Sequence, residues 1–151
     1  MTELKAMDDL KVIVFELMNK EYVIPVSQVQ SIEKMMHITR VPKTPSFVKG
    51  VINLRGVVTP IIDLRERFNL QASEANEQSR MIMIKLEDME VGLIVDAAND
   101  VLDIPLSAIE PQPDVVGSIE SEFIGGVAKL ERRLLVMLQL EKVLNPIKQV
   151  I

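Results

Sequence analysis

The chain carries one apolar framework twice, and this repetition limits its fold more than any other feature. A shift of 76 residues lays Gly50 on Gly126, Val51 on Val127 and Leu54 on Leu130. The same shift lays Ile61 on Met137, Ile62 on Leu138, Leu64 on Leu140 and Phe68 on Leu144. Nearer the start of each half, a shift of 69 lays Leu17 on Leu86, Tyr22 on Val91 and Ile24 on Leu93. It also lays Val26 on Val95 and Ile32 on Val101. Apolar positions coincide while polar ones diverge, so the copies share a buried framework. Two blocks in the same order favour duplication over a chance alignment of two β-rich halves.

Within the first copy, Val12–Leu17 reads as a strand with Ile13, Phe15 and Leu17 on one face. Asn19-Lys20 supplies a turn and Tyr22–Ile24 returns. Pro25 favours a bulge or an edge, and Val26, Val29 and Ile32 are spaced closer to a helical repeat than to alternation. A connection with Pro42 and Pro45 leads to Gly50–Leu64, where Val51-Ile52 and Val57-Val58 flank the corner Asn53-Leu54-Arg55-Gly56. Gly56 is free to take a positive φ there, and Pro60 favours an edge or bulge. Asp63–Phe68 reads as a helical turn and Gln71–Gln78 as a linker. In the second copy, Met81–Leu86 and Val91–Val95 are strands around a Glu87-Asp88 turn. Ser107–Ile109 opens an irregular stretch ended by Pro111 and Pro113. Phe123–Val127 leads into a hairpin turning at Glu131-Arg132-Arg133, Leu134–Leu138 is its second strand, and Leu140–Leu144 forms a terminal helical turn.

About five short strands per half predict a mostly β chain of two small, strongly bent barrels, with short helical turns and a short C-terminal helix. A barrel of roughly 70 residues has a marginal core alone, so the two pack around a shared hydrophobic core. The expected layout is one domain over about 10–145. Its first barrel covers about 10–70 and its second about 79–145, with strand exchange between the halves left open. Residues 1–9 read as a flexible tail.

Composition removes several functions. The 151 residues are 48% hydrophobic and 26% charged, as in a folded chain. No apolar run is long enough to cross a bilayer, and the first residues lack the basic and apolar regions of a secretion signal, which predicts a cytoplasmic protein. Without cysteine there is no disulfide, thiolate catalysis or cysteine metal site. A net charge of −5 and 3% aromatic residues argue against nucleic acid, which needs a basic face or a stacking platform. The single histidine, His37, has no catalytic companion at an informative spacing. Asp96, Asp100 and Asp103 read as solvated turn residues, and no phosphate loop is present. The expectation is therefore no catalytic residue, metal or cofactor. Arg55 either solvates a turn or offers its charge to a partner.

The ordered set FVKGVINLRGVVTPIIDLRERF, VGLIVDAANDVL and FIGGVAKLERRLLVMLQLEKVL resembles the CheW family, the coupling proteins of bacterial chemotaxis. The resemblance covers about Leu10 to Leu144, and its most specific part is Asn53–Gly56 followed by Pro60–Leu64. The 151 residues hold no kinase, phosphotransfer or receiver segment, which matches the stand-alone coupling protein rather than the related kinase CheA or the CheV adaptors. It implies two five-stranded SH3-like β-barrel subdomains and a scaffold that bridges chemoreceptors to CheA in receptor arrays. By position, Arg55, Gly56 and Gly50, with Arg80, Gly92 and Val101, become receptor-binding candidates in a groove between barrels. Val26, Val29, Met36 and Ile38 become contacts for the CheA regulatory domain, with Val26 and Val29 readable as surface anchors or as core. Glu110, Asp114 and Val115 become a second-barrel contact to a kinase domain or another CheW-like domain. The resemblance implies an acid in some relatives where Ser31 stands here, so a pair with Arg55 is not implied at that position. Glu33 is a candidate substitute, whose reach strand alternation alone does not establish.

Two other classes make different predictions. A small-barrel nucleic-acid module requires salt-sensitive oligonucleotide binding, and a carboxylate hydrolase requires paired buried acids. An adaptor for a chemotaxis-like pathway unrelated to swimming shares every residue-level expectation above.

Overall fold

Four tight turns set the architecture. The computed structural model describes residues 9–71, 73–111 and 121–150. Strands β1 (Asp9–Leu17) and β2 (Lys20–Pro25) turn at Met18-Asn19, and β4 (Val48–Leu54) and β5 (Val57–Asp63) turn at Arg55-Gly56. Strands β6 (Arg80–Leu86) and β7 (Met89–Val95) turn at Glu87-Asp88, and β10 (Ile124–Leu130) and β11 (Arg133–Leu138) turn at Glu131-Arg132. Each two-residue loop opens on a positive φ: 50° at Met18, 52° at Arg55, 57° at Glu87 and 53° at Glu131. This backbone matches the right-handed twist of the strands it joins. Strands β3 (Val29–Lys34), β8 (Ala97–Pro105) and β9 (Ile109–Glu110) complete the sheets. Helix α1 (Leu64–Arg67) follows β5, and α2 (Leu140–Val150) follows β11.

Two open sheets result, ordered β8-β1-β2-β11-β10-β9 and β3-β6-β7-β5-β4. The hairpin β1–β2, which chain order assigns to the first half, is hydrogen-bonded into the sheet of the second half. Reciprocally, β6–β7 lies between β3 and β5 of the first half. Contiguous barrels over 10–70 and 79–145 therefore do not exist as sheets; the halves exchange hairpins.

The duplication extends to irregularities. Register slips at Gln30 in the β3–β6 ladder and at Asn99 in the β8–β1 ladder, positions related by the shift of 69. It slips at Lys49 opposite β5 and at Gly125 opposite β11, related by the shift of 76. Inherited bulges at matched positions are hard to explain by chance.

The exchange follows from burial on both faces. In β1, Phe15 and Leu17 enter a central cluster with Ile62, Ile82, Ile84 and Leu93 of the other sheet. Val12 and Val14 point the opposite way, into a cluster with Val23, Ile104, Ala128 and Leu135. The second sheet has its own outer cluster around Ile52, Ile61, Met81 and Met83. A hairpin apolar on both faces cannot lie on an exterior, so it becomes the middle of a layered core.

Several local expectations change. Val26–Gln28 is a 3₁₀ turn entering β3, so helical spacing and strand meet at that point. Leu106–Ala108 repeats that turn after Pro105, where an irregular stretch was expected. Pro60 lies in an inner strand, yet at its own position β5 pairs on one side only, so it occupies a local edge. It is tolerated because β5 pairs with β7 only over Ile61–Asp63, leaving no ladder donor missing at Pro60 on that side.

Candidate functional site

Arg55 stands at the tip of β4–β5 in the left-handed first position of the turn, a conformation the turn imposes and not one that arginine favours. The Gly56 amide donates to Asn53 Oδ1 at 2.9 Å, which fixes the corner and explains the asparagine. The Arg55 side chain is 72% exposed, and its Nη2 lies 3.6 Å from Glu33 Oε2 on β3. Ser31 and Glu33 share one face of β3, and Glu33 is the acid on that face that reaches Arg55. The Ser31 hydroxyl is buried there without a partner. At 3.6 Å and this exposure the pair orients the guanidinium more than it stabilises the fold. Beneath Arg55 is a depression of about 160 Å³, with Leu54, Thr59 and Met83 in its wall and Gln30 hydrogen-bonded to Glu90 at its rim.

Apart from Gly56 in the same turn, the other receptor candidates do not gather there. Gly50 is buried, with φ +143°, and a Cβ on it would meet the Thr39 carbonyl oxygen at 2.1 Å. Gly92 is buried in β7, where a Cβ would meet Ile61 Cδ1 at 2.5 Å; it supports packing and presents no surface. Gly56 has open space around it, so the turn conformation alone asks for glycine, not a close approach. Arg80 donates to the Glu77 and Ser79 carbonyls at 2.9 and 2.8 Å. Val101 is 54% exposed on β8, an edge of the other sheet.

Among the kinase candidates, Val26 is half-buried on the 3₁₀ turn, and Val29 is half-buried with its inner side on the central cluster. Val29 thus packs into the core on one side and leaves the other side accessible. Met36 and Ile38 are half-buried against the outer cluster of the second sheet. Glu110 is exposed on β9, paired with Val127, whereas Asp114 and Val115 lie outside the described residues. Val57 and Val58, exposed beside the Arg55 turn, and Ile32, exposed on β3, were not singled out as contacts by the sequence; hydropathy gives them the same signal as core valines and isoleucines.

At the seam of the two sheets a cleft of about 250 Å³ runs between Glu16 and Asn19 on one side and Asp63 and Arg65 on the other. Asp96, expected to be a solvated turn residue, is instead its central link. It accepts Arg65 Nε at 2.8 Å and Nη2 at 2.5 Å, and the Met18 amide at 2.8 Å. Burial pushes its carboxyl up, but these hydrogen bonds outweigh burial and hold it below the usual value. Asp63 moves the other way, raised chiefly by burial while it caps α1 through the Arg65 amide at 2.9 Å. Burial also pushes the Tyr22 hydroxyl up to about 12. Arg133 holds Glu21 in a fork at 3.0 and 2.7 Å, with Asp100 at 3.7 Å. Each perturbed group is thus explained by burial or a structural partner, and none pairs a base with a nucleophile. Among the described residues no cluster of three or more acids or histidines is placed to hold a metal, and no helix is long and apolar enough to cross a membrane.

Comparison with known proteins agrees with this architecture. The family model described as CheW-like domain matches residues 11–148. The chain is 48% identical to a chemotaxis protein CheW of Bacillus subtilis over 135 residues, 89% of this chain and 86% of that protein. It is 38% identical to a chemotaxis protein CheW of Klebsiella aerogenes, over 88% of this chain and 80% of that protein. Among solved structures, the scaffolding protein TtCheW of Thermoanaerobacter tengcongensis superposes with a TM-score of 0.84 at 35% identity, covering 89% of this chain and 91% of that one. Matched by the family model over residues 11–148 and 48% identical to a curated member over 89% of its length, the chain belongs to the CheW-like domain family.

Proposed function

We propose that the chain is a non-enzymatic adaptor that couples the cytoplasmic tips of chemoreceptors to the histidine kinase CheA and helps to build their signalling array. The family is one of scaffolds, and nothing in the described site offers a reacting group of its own. Arg55 is the observation that carries the reading. A guanidinium raised on a tight turn, oriented by Glu33 and largely exposed, suits recognition of a carboxylate or a free carbonyl on a helical partner. Val57 and Val58, exposed on β5 directly after the turn, supply apolar contact for such a helix.

Around this tip the roles divide by position. Arg55 and Gly56 face the receptor, with Gly50 and Gly92 acting through the packing that holds β4 and β7 in place, and with Arg80 and Val101 as outlying contacts. Val26, Val29, Met36 and Ile38 receive the CheA regulatory domain, and Glu110 with Asp114 and Val115 serves a second kinase domain or another CheW-like domain. The protein works in the cytoplasm and reaches the membrane through the receptors.

The test is CheA autophosphorylation in receptor-containing membranes with the wild-type protein and with Arg55→Ala. Activation by wild type, and loss of about tenfold or more in a variant whose melting is unchanged, is the expected result. Full activation by Arg55→Ala removes Arg55 from the working surface. No activation by wild type with its cognate receptor and kinase overturns the adaptor reading.

A further inference from the structure

The chain carries a net charge of −5, yet one concave surface runs against that sign. Between the Thr39–Val51 bridge and β4, the chain encloses a cleft of about 440 Å³. Arg40, Lys43 and Lys49 line it against a single carboxylate, Glu66. Lys49 is paired with Glu66, whereas no carboxylate among the described residues lies within ion-pair reach of Arg40 or Lys43. Two uncommitted cations therefore share one hollow.

The loop that presents them is built in advance. Pro42 and Pro45 fix φ, the Thr44 hydroxyl donates to the Val41 carbonyl at 3.0 Å, and the Val48 amide donates to the Pro45 carbonyl at 3.0 Å. Its ends are tied as well. Thr39 and Val51 exchange hydrogen bonds of 2.9 and 2.8 Å, and the Asp63 amide donates to the Phe47 carbonyl at 2.8 Å. Little conformational freedom remains to be lost when a ligand enters. Val41, Pro45 and Val48 give the hollow an apolar floor under its cationic rim. A bare phosphate calls for converging N–H donors, not an apolar floor. Carboxylates set on either side of an aliphatic side chain match both the rim and the floor.

We infer that this cleft docks an acidic peptide segment, carboxylates flanking an aliphatic residue, presented by a protein partner. The inference rests on the adaptor reading for the partner, since Met36 and Ile38, the candidate kinase contacts, lead directly into Arg40.

The test uses the full chain, isotopically labelled, and follows its amide resonances during titration at constant ionic strength. Three probes are compared: a pentapeptide with two glutamates on either side of a leucine, its glutamine counterpart, and inorganic phosphate. Saturable shifts confined to residues 40–49 with the acidic peptide, absent with glutamine and weaker with phosphate, are expected. Arg40→Gln combined with Lys43→Asn lowers that affinity about tenfold without changing the melting transition, asparagine being at ease in the left-handed conformation of Lys43 (φ +64°). A control pair of equal charge change, Lys11→Gln with Lys85→Gln, leaves it unchanged. No saturable shift, an equal response to phosphate, or an equal loss in the control pair overturns the site. Binding to the cognate kinase regulatory domain is measured in parallel. If wild type binds and the Arg40/Lys43 variant binds equally well, the acidic segment is not carried by that domain. If wild type does not bind, the adaptor reading fails, while the peptide titration still decides the cleft.

Discussion

Arg67 shows how one side chain can hold two copies of a fold together. It leaves α1 and donates through Nε to the Val143 carbonyl at 2.8 Å and through Nη2 to the Lys142 carbonyl at 3.1 Å. Lys142 needs that donor, because the residue one turn later is Pro146, which has no N–H to give. The guanidinium also lies 5.0 Å from the Phe47 ring centre and 4.3 Å from that of Phe123. Arg67→Lys keeps the charge but loses the planar fork and the stacking, so urea unfolding is expected to show a loss of about 2–4 kcal/mol. Asp96 has the same joining role, with a pH signature. Its folded pKa is lowered below the usual 3.8, so its contribution is present above that value and lost as pH falls through the folded pKa. Asp63, with a raised pKa, contributes in the opposite sense, most at low pH and less as pH rises through its folded value. Asp96→Asn is therefore expected to lower the melting temperature near neutral pH and to flatten its decline on acidification, read from thermal melts across that range. An unchanged acid limb would remove Asp96 as its source.

Among the elements, the β4–β5 hairpin separates two uses of glycine. Gly56 completes a turn in open space, and Gly50 lets the 38–40 segment pack against β4. Gly56→Ala is expected to cost about 1–2 kcal/mol, the penalty of a left-handed residue alone. Gly50→Ala adds a collision with the Thr39 carbonyl and is expected to cost about 2–4 kcal/mol, with the Thr39–Val51 bridge broken. Equal destabilisation of the two variants in parallel melts would contradict this distinction. Loss of coupling in Gly50→Ala would then report a displaced 38–40 segment and not a blocked receptor contact. The same reasoning covers Gly92, whose neighbours Ile61 and Met83 belong to the outer cluster.

At the scale of the molecule, exchange of hairpins makes the two halves interdependent. Residues 9–71 without β6–β7 leave β3 and β5 with no strand between them, and the second half without β1–β2 leaves β8 and β11 in the same state. Each half expressed alone is expected to lack a cooperative melting transition, and mixing the two is expected to restore one. A cooperative transition in an isolated half would show that hairpins can pair within a half. The sequence alone determined most strands, the hairpin turns and the duplication, because alternation, turn chemistry and apolar periodicity are local and survive divergence. It missed β8, whose Asp100 and Asp103 read as turn residues because acids interrupt its apolar pattern. Even the bulges obey the shifts of 69 and 76, and the corner that lifts Arg55 can be read from Asn53 and Gly56. What the sequence left open was which hairpin joins which sheet, since both copies offer the same apolar edges and chain order cannot rank them. Tertiary packing decided that, by burying both faces of β1 and β2 between two cores. It also decided that Glu33 reaches Arg55, that Gly92 is packed away, and that Asp96 is a link between sheets. Each of these depends on residues distant in the chain, whose approach no local pattern encodes.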